Sequence, residues 1–179
     1  MGERRKVMVV YGTRPEAIKV APVIKALEQS NDLDVVTVIT AQHREMLDQV
    51  NEVFDIVPDV DLNLMQPGQT LNGIAARVLE KVDEVIVEHA PDAVLVQGDT
   101  TTVMAAGVAA FNRSVPVVHL EAGLRSGDLF SPFPEEGNRK LVSQIASLHL
   151  APTEVSKANL LHDGVAENDI VVTGNTVID

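Results

Sequence analysis

The sequence predicts a doubly wound α/β domain on a parallel sheet, one Rossmann-like unit, and three observations carry that expectation. Short β-branched apolar runs alternate with helical patterns along all 179 residues, the signature of strand–helix–strand crossovers. Those runs are nearly continuous in apolar residues, as strands covered on both faces must be. The composition, 45% hydrophobic and 22% charged, is ordinary for a globular chain long enough to bury one core. One tyrosine, four phenylalanines and no tryptophan make that core aliphatic.

The first strand is read at residues 6–11 and runs into Gly12. Thr13 and Glu16 follow in capping-box spacing, opening a helix whose stripe is Ala17, Val20, Ala21, Ile24 and Leu27, with a kink expected at Pro22. The N–H groups of that first turn and the helix dipole are expected to form an anion site at the strand's carboxyl end. Gly12, Thr13, Arg14 and Lys19 are its candidate binding residues. Two cations where a dipole prefers acids is a local conflict, and such conflicts tend to mark function. The plainer alternative is an ordinary strand–turn–helix with solvated cations.

Further strands are read at 35–40, 93–96, 115–120, 147–151 and 170–173. Leu71, Ile74, Ala75, Val78, Val82, Val85, Ile86 and His89 form a clean helical stripe. Residues 102–111 are apolar nearly all round, which predicts a helix buried on two sides, between the sheet and a neighbouring helix or subunit. After the last strand, Gly174, Asn175 and Thr176 read as a turn into another helix. The expected organisation is therefore a domain over 1–173, with 174–179 beginning a connection to a second domain of a longer protein.

Ligands of such sheets bind at the carboxyl ends of the strands, and polar residues gather there. Asp99 follows the strand at 93–96, Glu121 follows that at 115–120, and a loop at 126–134 carrying Phe130 and Phe133 empties into Glu135 and Glu136. Asp99, Glu121 and Glu135 are expected to face the pocket marked by Arg14, and clustered carboxylates can work as acid and base. Asp99 has an alternative reading as a helix N-cap, and Glu135 and Glu136 as acids serving a helix dipole. Glu121 is harder to dismiss, because a carboxylate after a buried strand is costly without a task or partner. His119 shares a strand face with Glu121 at spacing two, yet no third ligand stands at metal spacing, so a core histidine and no metal are expected. His149 reads as a strand residue, His89 and His162 as helix-surface residues, and His43 as part of a polar strand end with binding character.

Several classes are disfavoured. A net charge of -12 argues against nucleic acid, which wants a basic face. The absence of cysteine excludes disulfides and thiolate chemistry. No apolar run approaches a membrane span and no signal-type segment opens the chain, so the cytoplasm is expected. Dinucleotide, P-loop and serine-elbow fingerprints are missing.

Six segments, in order, closely resemble the non-hydrolysing UDP-N-acetylglucosamine 2-epimerases: Gly12-Thr13-Arg14-Pro15-Glu16-Ala17-Ile18-Lys19, Thr40-Ala41-Gln42-His43-Arg44-Glu45-Met46-Leu47-Asp48, Gly98-Asp99-Thr100-Thr101-Thr102, His119-Leu120-Glu121-Ala122-Gly123-Leu124-Arg125, Pro134-Glu135-Glu136 and Thr173-Gly174-Asn175-Thr176-Val177-Ile178-Asp179. The resemblance implies a glycosyltransferase-B arrangement of two Rossmann-like domains, of which this chain is the first. It implies an isomerase that interconverts UDP-GlcNAc and UDP-ManNAc without a nicotinamide cofactor, by eliminating UDP and adding it back. Asp99, Glu121 and Glu135 match the family's catalytic carboxylates, and Arg14 and Lys19 its positions near the diphosphate. Gln42, His43 and Glu136 fall in segments like those that bind a second UDP-GlcNAc as activator, although Glu45 and Gly68 stand where some members carry Gln and Arg. A homodimer is also implied, as is a catalytic histidine in the second domain. A nucleotide-diphosphate-binding half-module and a glycosyltransferase first domain are the competing readings.

Overall fold

The computed structural model describes residues 4–41 and 44–177. Its strands are β1 (Arg5–Tyr11), β2 (Leu33–Ile39), β3 (Val60–Asp61), β4 (Ala93–Gln97), β5 (Val117–Leu120), β6 (Leu148–Ala151) and β7 (Ile170–Val172). The helices are α1 (Arg14–Glu28), α2 (Arg44–Val53), α3 (Leu71–His89), α4 (Thr101–Asn112), α5 (Glu135–Ile145) and α6 (Glu154–His162). All strand pairs are parallel and form one sheet in the order β3-β2-β1-β4-β5-β6-β7. The chain winds outward from β1 to β3, then crosses back to β4 and winds the other way. The carboxyl ends of β1 and β4 therefore open a crevice at the reversal, where such sheets hold ligands.

Strand periodicity divides the core into two layers. Met8, Val10, Val36, Val38, Val94 and Val96 pack under α3, α4 and α5. Their neighbours Val9, Tyr11, Ile39, Leu95 and Leu120 pack under α1 and α2. A smaller cluster of Ala122, Ala151, Leu160 and Ile170 seats α6. As the composition implies, these layers are almost wholly aliphatic.

α1 runs through Pro22 to Glu28, along the stripe read from the sequence. Three details differ from the sequence reading. β5 begins at Val117 rather than 115, since Val115 N–H closes the end of α4 on Ala110 O at 2.9 Å and Pro116 has no donor for the ladder. β3 was not anticipated: a two-residue strand carries no period to read. α4 is covered by the sheet, α3 and α5 as expected, but Phe111 at its last turn is 55% exposed. Beyond β7 the chain returns to α1, where Thr176 Oγ1 donates to Lys19 O at 2.7 Å.

Candidate active site

A cavity of about 400 Å³ lies in the crevice between the carboxyl ends of β1, β4 and β5, within the usual size of small-molecule sites. α1 contributes Glu16 and Lys19, the end of β4 contributes Gln97 and the turn after it Asp99 and Thr100, and the turn after β5 contributes Glu121 and Leu124. The expected meeting of Asp99 and Glu121 at one rim is thus realised. Arg14 stands at the same rim, at the start of α1, but its side chain lines a neighbouring cavity between α1 and α2 with Ile18, Gln49 and Phe54. It makes no ion pair or hydrogen bond among the described residues.

Glu121 is the most constrained of these groups. Its backbone is left-handed, with φ +62°, a conformation that costs a non-glycine residue free energy and is kept where the surroundings enforce it. Lys19 Nζ sits 2.6 Å from Oε1 and 2.5 Å from Oε2, and Gln97 Nε2 donates to Oε2. Behind Glu121, Gly123 presses against α6: with φ +90°, an added Cβ would lie 2.3 Å from Ser156 O. Arg125 then fixes the turn, donating to Asp163 Oδ2 at 2.7 Å, to Ser143 Oγ at 3.0 Å and to Leu124 O at 2.7 Å.

The turn bearing Asp99 is held from several sides. Arg139 of α5 donates to Asp99 Oδ2 from Nη2 at 2.6 Å and Nε at 3.2 Å. Asn138 Nδ2 donates to Asp99 O at 2.9 Å, and His119 Nε2 lies 2.7 Å from Gly98 O. Burial drives the His119 imidazole down to about 4, so it is neutral and donates from Nε2. The helix cap here is Thr100, which accepts from Val103 N–H at 3.2 Å, not Asp99. His119 is a buried core residue, as read. Its strand-face pairing with Glu121 does not hold, because the left-handed turn breaks the strand's alternation.

Other expectations need correction. The amides of Gly12 and Thr13 are not open to a ligand: both donate to Glu16 Oε2, at 2.7 and 3.0 Å. Burial pushes the Glu16 carboxyl up, against the pull of the Gly12 amide, the Thr100 hydroxyl and the Thr13 amide. Lys19 is not a free cation, being paired with Glu121. Glu135, half-buried at the first turn of α5, does not line the cavity. Glu136 is fully buried and accepts from Ser126 N–H at 3.1 Å, Gly127 N–H at 3.2 Å and Arg139 Nη1 at 3.1 Å. Burial alone would raise its pKa, but those amides and the Arg139 and Arg125 guanidiniums hold it below the ordinary value. Such a residue ties down the base of a loop and offers nothing to solvent. Gln42 and His43 lie outside the described residues.

Three participants escaped the sequence reading. Arg139 was legible as a cation one turn into an acid-rich helix start. Gln97 ends a buried strand with an amide that the apolar run does not explain. Glu16 was recognised as half of a capping box, but its effect on the donors of that turn was not. In the loop before α5, Phe130 and Phe133 stack with ring centres 6.1 Å apart and stay largely exposed.

Fold and cavity together define a doubly wound α/β domain with a carboxylate-lined cavity at its switch point. Residues 25–179 match the family model described as UDP-N-acetylglucosamine 2-epimerase, and the chain belongs to that family. It is 56% identical over 175 residues to a probable UDP-N-acetylglucosamine 2-epimerase of Ralstonia nicotianae, covering 98% of this chain and 47% of that protein. The structure of the Neisseria meningitidis UDP-GlcNAc 2-epimerase bound to UDP-GlcNAc aligns at TM-score 0.94 and 53% identity, covering 97% of this chain and 47% of that one. A lipopolysaccharide outer core galactosyltransferase, 14% identical with TM-score 0.70, shares the fold alone. The chain spans about half the length of the curated relatives it matches.

Proposed function

We propose that this chain is the N-terminal lobe of an isomerase that interconverts UDP-GlcNAc and UDP-ManNAc, and that it turns over substrate only when a second lobe completes the cleft. The domain boundary falls near 173, with 174–179 leading to that lobe; the working protein is cytoplasmic and a homodimer. One observation carries the reading: Glu121, in a left-handed turn and gripped by Lys19, shares with Asp99 a cavity at the switch point. Inversion at C2 needs a base on one face of the sugar and an acid on the other. In the forward direction the C2–H and C1–O bonds break, a C1=C2 double bond forms and UDP leaves. Readdition of UDP to C1 and of a proton to the opposite face of C2 completes the inversion.

Asp99 and Glu121 are the acid–base groups in the cavity, and Glu135 joins them at the cleft between the lobes. Arg14, a cation of the rim with no partner among the described residues, faces the departing diphosphate, where a fixed positive charge stabilises developing negative charge. Gln42, His43 and Glu136 belong to the segment proposed for a second, activating UDP-GlcNAc. Glu136 acts there through the loop it holds rather than by touching the ligand. The test is conversion of UDP-GlcNAc to UDP-ManNAc by this chain alone and by this chain with the C-terminal half of a family member. Turnover only in the mixture is expected. Turnover by the chain alone contradicts the two-lobe reading, and tight UDP binding with no turnover in the mixture favours a binding module.

A further inference from the structure

The first turn of α1 has the geometry of an anion nest, and its occupant is already part of the chain. A strand ending at Tyr11 and a helix starting at Arg14 leave the amides between them converging on the helix mouth. Glu16 Oε2 takes the N–H of Gly12 at 2.7 Å and of Thr13 at 3.0 Å. Its other oxygen, Oε1, takes the Thr100 hydroxyl at 2.8 Å, from the turn after β4. Thr100 is adjacent to Asp99 and caps α4. The carboxylate is 3% exposed yet lies in the wall of the cavity. It therefore joins the two turns that flank the sheet's switch point, across 84 residues of chain.

We propose that Glu16 is a positioning residue: its carboxylate fills the nest that α1 builds, locks the Asp99–Thr100 turn to the end of β1, and keeps anionic ligand groups away from the Gly12 and Thr13 amides. A capping box in an ordinary helix joins a cap to its own first turn. This one reaches a second loop, and the loop it reaches carries Asp99, a carboxylate of the cavity. For the ligand the consequence is directional. A diphosphate finds the amides at the mouth of α1 already taken and must find its donors elsewhere on the rim, where Arg14 is unpaired among the described residues. That consequence alone rests on the nucleotide-sugar reading; the filled nest does not.

Glu16→Ala removes the carboxylate and its γ-methylene and leaves a hole of acetate's shape facing two amides and a hydroxyl. The thermal midpoints of native chain and variant are compared with about 0.2 M sodium acetate or the same sodium chloride. Acetate is expected to raise the variant's midpoint by about 3 °C over chloride and to leave the native chain unmoved. An equal response of both proteins, or none in the variant, overturns the proposal. A second measurement uses only the native chain: on adding inorganic phosphate, the amide resonances of Gly12 and Thr13 are expected to stay in place. Their displacement by phosphate overturns the proposal even if the alanine variant fails to fold. Neither arm depends on turnover, so loss of the epimerase reading leaves this one standing.

Discussion

At the residue scale, much of the site's order comes from groups that never meet solvent. His119 is a sharp instance. Its imidazole is held at about 4 against an ordinary value of 6.5, so the unfolded chain takes up a proton first as pH falls. The stability that the buried neutral ring contributes is whole above pH 6.5 and drains between 6.5 and about 4, with about 3 kcal/mol at stake. His119→Gln keeps a donor for Gly98 O and removes the titration. We predict a shallower fall of unfolding free energy across that window in the variant, measured by urea titrations at a series of pH values; parallel curves contradict the assignment. Glu16 teaches the complementary lesson about reading residues. Its spacing from Thr13 was plain in the sequence, and so was the cap, but whether a carboxylate leaves its amides for a ligand or consumes them depends on side-chain direction. Nothing in a string of letters fixes that.

At the element scale, what was legible is what periodicity dictates. The runs that became β1, β2, β4, β5, β6 and β7 are long enough and β-branched enough to be seen, and α3 announces itself by its stripe. β3 was invisible because two residues have no alternation. The start of β5 was misplaced because a backbone donor at Val115 goes to α4, a tertiary choice that local propensity does not record. α5 shows how one helix serves several purposes: Glu136 ties down the loop at Ser126 and Gly127 while Arg139, less than one turn later, grips Asp99. The turn after β5 is equally overdetermined at Gly123, whose close approach to α6 leaves no room for a side chain. Gly123→Ala is expected to destabilise the chain by at least about 2 kcal/mol, from the left-handed backbone and the collision together. Equilibrium unfolding in urea checks this, and a loss near zero would mean that α6 yields more readily than its packing implies.

At the scale of the whole molecule, strand order converts sequence positions far apart into one site. Lys19, Asp99 and Glu121 come from three segments, and only the reversal between β1 and β4 brings them to one crevice. That convergence was legible, because parallel strands put every turn of this kind at one rim. The finer sorting was not, since Arg14 and Glu135 share the rim but not the cavity. The relatives are about twice as long as this chain. The central claim is that Glu121 belongs to the acid–base machinery acting at C2 of a nucleotide-sugar. The most direct measurement is deuterium incorporation at C2 of UDP-GlcNAc in heavy water, by this chain completed with the C-terminal half of a family member. The account predicts exchange in the native mixture and a loss of about 10²-fold or more with Glu121→Gln; exchange at an undiminished rate in that variant would contradict it.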